Sequence, residues 1–144
     1  MNMKTYKPNI SSHYVSGGQG ELTREQRDEG RKMMEDAFVR LMNESEKGHI
    51  RWTGTQKDLM ELTYIAYRGC VVRHTDGSPA LMSELARTIC TRLGMHMPAN
   101  PYKVAAKAMA RKGVKQLAYL ERFCWLHFVA GVADPTAAEI GHAK

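Results

Sequence analysis

Glycine punctuation constrains this chain more than any other feature. Gly48, Gly69, Gly94 and Gly113 each close a stretch whose apolar residues recur at helical spacing. Capping residues or prolines reopen the chain after them: Thr53 or Thr55, Ser78-Pro79, and Asn100-Pro101. Helices cut to this length must pack against one another to bury their apolar stripes. The expectation is a mainly α-helical, compact domain over residues 21–131, preceded by a flexible arm at 1–20 and followed by a flexible tail at 132–144.

Thr23 followed by Gln26 has the pattern of a capping box. A first helix is expected from there to about Lys47, with Met34, Ala37, Phe38, Leu41 and Met42 on its apolar side. Its first half is densely charged and reads as solvated. Ile50-Arg51-Trp52 reads as a short extended piece. A second helix over about 56–68 carries Leu59, Leu62, Ile65 and Ala66, with Tyr64 and Tyr67 beside them. Cys70-Val71-Val72 is β-prone and His74 to Gly77 reads as a turn, so a short two-stranded element over 50–52 and 70–73 is expected. A third helix starts at Ser78-Pro79 and places Leu81, Leu85, Ile89 and Leu93 on one face. A fourth runs from Pro101 to Gly113. The fifth, about 116–130, is apolar nearly all round and reads as either the central core element or a dimer interface, with the core reading preferred.

The sequence has 21 Lys/Arg and 15 Asp/Glu, a net charge of +6, and the imbalance is local. From Leu85 to Leu120 there are seven basic residues (Arg87, Arg92, Lys103, Lys107, Arg111, Lys112 and Lys115) and no acidic one. A surface of that kind attracts polyphosphate. At 100° per residue, Lys103, Lys107 and Arg111 fall within about 80° of arc on the fourth helix. Tyr102, Ala105, Ala106 and Met109 are then expected toward the core, with Val104 and Ala108 beside the cations. Helices three and four, joined by a short link, read as a helix-turn-helix with the fourth as reading element. Lys103, Lys107, Arg111 and Lys112 are the expected phosphate contacts, Arg87, Arg92 and Lys115 extend the field, and Asn100 caps the helix or donates to phosphate.

Other classes find little in the sequence. There is no C-x-x-C or H-E-x-x-H pattern, no Gly-rich phosphate loop after a strand and no nucleophile elbow, so neither an enzyme nor a metal or other cofactor is expected. Asp58 and Glu61 share a helix turn, and the pair reads as solvated carboxylates, with Lys57 a candidate partner for Glu61. Three widely spaced cysteines read as reduced thiols of a cytoplasmic protein. No apolar run is long enough to span a membrane.

Residues 50–67 add a more specific signal. The pattern Ile50-x-Trp52-Thr53-Gly54, then Asp58-Leu59-x-Glu61-Leu62-x-Tyr64, resembles the carboxyl-terminal region of the RteC family, regulators encoded on conjugative elements of anaerobic gut bacteria. The order that follows is also similar: loop, helix, a link ending in Asn100 and Tyr102, a helix ending in Arg111-Lys112, and a final apolar helix. The likeness covers roughly residues 49–130. It implies a winged-helix-like DNA-binding domain in transcription control, with the element at 100–112 as recognition helix. In that family a larger amino-terminal domain precedes this region; here one helix and an arm stand in its place. The expected partner is therefore double-stranded DNA, bound by a monomer or a homodimer. The alternative is a non-enzymatic interaction module whose basic face docks an acidic protein.

Overall fold

The computed structural model describes residues 22–111 and 117–142. The arm at 1–20, Lys112, Gly113 and Lys115 lie outside the described residues. The chain is mostly helical with a small two-stranded antiparallel sheet. Helix α1 spans Arg24–Glu44 and begins with the capping box: Thr23 Oγ1 accepts the N–H of Gln26 at 3.0 Å, and Gln26 Oε1 accepts that of Thr23 at 2.9 Å. A 3-10 turn at Ser45–Lys47 closes on Gly48, whose φ of 76° only glycine adopts freely. Strand β1 is Ile50–Trp52. Helix α2, Gln56–Arg68, is capped by Thr55. Helix α3 is Met82–Leu93, α4 is Pro101–Met109, and α5 is Tyr119–Cys124, continuing as a π-helical turn over Trp125–Val129. Strand β2 is Ile140–His142.

The core forms around α2, which contacts each of α1, α3, α4 and α5. Its residues from Asp58 to Thr63 are all buried. Helix α5 is a core element, as expected, but α2 and not α5 stands at the centre. Helix α5 buries Tyr119, Phe123, Cys124, Phe128 and Val129, but Trp125, Leu126 and His127 stay partly exposed. Helix α2 can be central because its buried polar groups find partners inside the fold. Thr63 Oγ1 donates to the Leu59 carbonyl at 2.7 Å. Trp52, also buried, donates from Nε1 to the Thr55 carbonyl at 2.9 Å and meets the Tyr119 ring edge-on.

Three expectations about strands and ends need correction. Strand β1 pairs with β2, with Trp52 opposite Ile140, and not with residues 70–73. The latter region forms its own turn, where Arg73 bridges to Pro79. The segment expected as a tail from residue 132 instead forms a 3-10 turn at Pro135–Glu139 and then β2, and the Glu139 carbonyl accepts the N–H of Thr53 at 2.7 Å. Helix α3 also starts later than Ser78-Pro79 suggests, because Pro79 is held in the bridge to Arg73.

Candidate nucleic-acid interface

Helix α4 begins where Asn100 Oδ1 accepts the N–H of Lys103 at 3.0 Å, a cap that satisfies one of the free donors of the first turn. Asn100 is thus a structural cap. Pro101, Ala105 and Ala108 are buried, and Val104 packs against the same core. Lys103, Ala106, Lys107 and Ala110 are exposed. At 100° per residue, Lys103 and Lys107 lie about 40° apart, opposite the buried stripe. The expected orientation of the helix is therefore rotated. Tyr102, Ala106 and Met109 are not core residues; Tyr102 is 49% exposed and Met109 39%. Ala108, expected beside the cations, is buried instead. Small Ala105 and Ala108, not the large Tyr102 and Met109, face α2, because two helices that pack this closely need small side chains between them.

Arg111 leaves the row altogether. Helix α4 ends at Met109, and the chain turns so that Arg111 Nε donates to the Ala108 carbonyl at 3.2 Å. Its Nη2 meets Asp58 Oδ1 at 3.0 Å. Asp58 also takes Arg122 on Oδ2 at 2.9 Å, and Arg122 reaches Glu139 at 3.3 Å while lying over the Tyr119 ring. The Asp58 side chain is only 5% exposed, so these cations balance a buried charge and hold α2, α5 and the end of α4 together. Arg92 is engaged too. Its Nη1 donates at 2.7 Å to the Met42 carbonyl in the last turn of α1, which also accepts the Ser45 hydroxyl at 3.3 Å. Arg87 is exposed on α3. Among the described residues, Arg87, Lys103 and Lys107 form no ion pair with a carboxylate.

Glu61, one turn after Asp58, is fully buried and does not pair with Lys57. Its two oxygens accept the N–H groups of Tyr119 at 2.8 Å and Leu120 at 2.9 Å. Ala118 at the start of α5 has no side-chain acceptor, so Glu61 caps that helix from α2. Burial raises the Glu61 carboxyl above its usual range, partly offset by the two N–H donors. The solvated pair expected at Asp58 and Glu61 is thus a buried clasp. It grips the chain on both sides of residues 112–116.

The remaining titratable groups offer little chemistry. Burial pushes the Cys90 thiol up to about 11 and Cys124 up to about 12, so neither is a nucleophilic thiolate at neutral pH. Among the described residues, no cluster of three His, Cys, Asp or Glu side chains could hold a metal ion. No described helix is long and apolar enough to cross a membrane.

Residues not anticipated as a surface are Tyr64, Arg68, Leu81 and Tyr102. Tyr64 and Tyr102 meet edge to face with centroids 5.2 Å apart, and Arg68 Nη1 lies 3.2 Å from the Tyr64 hydroxyl. No sequence signal marks this surface: with the helix expected from Ser78-Pro79, Leu81 reads as part of its apolar face, whereas it is the exposed N-cap. Compared with family models, curated proteins and solved structures, the chain matches none.

Proposed function

We propose that the protein binds nucleic acid through the outward face of α4, with Lys103 and Lys107 neutralising phosphates of duplex DNA. One observation carries the reading. Two lysines a helical turn apart, free of carboxylate partners among the described residues, point away from the core with only alanines, Ala106 and Ala110, on the same face. Like charges at this spacing repel, and an external anion relieves them. The small alanines let the helix backbone approach a groove closely and leave room for a thymine methyl.

In this proposal α3 and α4 act as the helix-turn-helix pair, and the β1–β2 ribbon belongs to a winged-helix-like core. Arg87 extends the positive field; Lys112 and Lys115, outside the described residues, carry the same sign. Arg92 and Arg111 are structural. The resemblance of residues 49–130 to RteC regulators supports a role in transcription control or in control of a mobile element.

The test is fluorescence anisotropy with a random-sequence duplex at low salt. Lys103→Ala/Lys107→Ala is compared with Lys32→Ala/Lys47→Ala, which removes the same charge from exposed positions elsewhere. The proposal expects the first pair to weaken binding at least about tenfold more than the second. Equal losses would reduce the effect to net charge and overturn the assignment.

A further inference from the structure

Two exposed apolar side chains and one strained backbone position converge on one groove. Leu81 is the N-cap of α3, a position where leucine supplies no acceptor, yet it is 59% exposed. Tyr102 presents a half-exposed ring from the first turn of α4. Cys70 is the one described non-glycine residue with positive φ, 54°. Cys70, Leu81, Tyr102, Tyr67 and Pro79 line a groove of about 430 Å³, open along one side. The left-handed backbone of Cys70 is a costly conformation of the kind retained at binding sites.

The chemistry of the groove selects its occupant. Its lining, with Pro79, Ala80 and Leu81 beside Tyr67 and Tyr102, is aliphatic and aromatic and suits one or two apolar side chains. Arg68 is its charged lining residue, held in place by the Tyr64 hydroxyl at 3.2 Å and without a carboxylate partner among the described residues. Lys103 follows Tyr102 on α4 and is exposed. Nearby carboxylates are turned to other tasks. Glu84 accepts the N–H of Leu81 at 2.7 Å and faces His74 at 3.0 Å, and Glu35 lines a neighbouring hollow on the other side of Arg68. We infer that this groove docks an acidic amphipathic peptide segment of a partner protein, with its leucine or aromatic side chains against Leu81 and Tyr102 and a carboxylate on Arg68. The inference stands independently of DNA binding by the lysine face.

The test is selection from a displayed random peptide library against the full chain, followed by fluorescence polarisation with the recovered peptides. Leu81→Glu, Tyr102→Ala and Arg68→Glu all lie at exposed positions. Circular dichroism and thermal unfolding establish that each variant is folded. The expected peptides combine Asp or Glu with Leu, Phe or Trp, and bind each groove variant at least about tenfold more weakly. They keep their affinity for Lys107→Ala, and Tyr102→Ala, which leaves the charge unchanged, keeps wild-type affinity for duplex DNA. The inference is overturned by basic peptides, by peptides indifferent to the groove variants, or by a selection that recovers none. Loss of duplex binding in Tyr102→Ala would also overturn it, because the groove would then belong to a nucleic-acid surface.

Discussion

Glu61→Gln keeps the shape of the side chain but removes one of the two oxygens that accept N–H groups from Tyr119 and Leu120. A buried donor left unmatched costs about 1–3 kcal/mol, and urea denaturation should show a loss of that size. The pH dependence has a definite sign. With its folded pKa raised by burial above 4.5, Glu61 keeps its proton in the native state where the unfolded chain has released it. Stability therefore falls as pH rises from about 4.5 through the folded pKa, and Glu61→Gln should flatten that part of the profile. Arg111 and Lys107 should separate cleanly. Arg111→Ala leaves Asp58 with Arg122 alone and should cost about 2–4 kcal/mol in chemical unfolding. Lys107→Ala, on an exposed face, should change stability by less than about 0.5 kcal/mol. None of this was legible from residue type. Asp58 and Glu61 read as solvated because acidic side chains are rarely buried, and their partners lie more than fifty positions away, at Arg111, Arg122 and the start of α5.

At the scale of elements, local signals were read well and distant pairings were not. The capping box at Thr23, the Thr55 and Asn100 caps and the left-handed glycines at 48 and 94 involve neighbours a few residues apart, so the sequence displays them directly. Strand β2 is three residues long and finds its partner across most of the chain, at β1, which no local pattern announces. The rotation of α4 escaped for a related reason. Periodicity by hydrophobicity favours Tyr102 and Met109 as core, whereas close packing on α2 selects Ala105 and Ala108. The α1–α5 contact carries a prediction of the same kind. A Cβ at Gly30 would collide with Cys124 Sγ, so Gly30→Ala should push α5 outward and cost about 1–3 kcal/mol by thermal unfolding.

Over the whole molecule, the positive charge of the 85–120 region divides into two populations. Arg92 and Arg111 are consumed by the fold, while Arg87, Lys103 and Lys107 remain available to a partner. A cation run in a sequence counts charges without showing which are spent internally, and this is why the candidate interface is smaller than the run suggested. A homodimer would place two α4 faces for a two-fold DNA site, and gel filtration at rising concentration would detect it. Binding through α4 requires Lys103 and Lys107 to release counterions from DNA. The slope of log K against log salt, measured on one duplex for wild type and Lys103→Ala/Lys107→Ala, tests this directly. Two phosphate contacts predict a slope shallower by about two in the variant. Identical slopes in the two proteins would contradict the account.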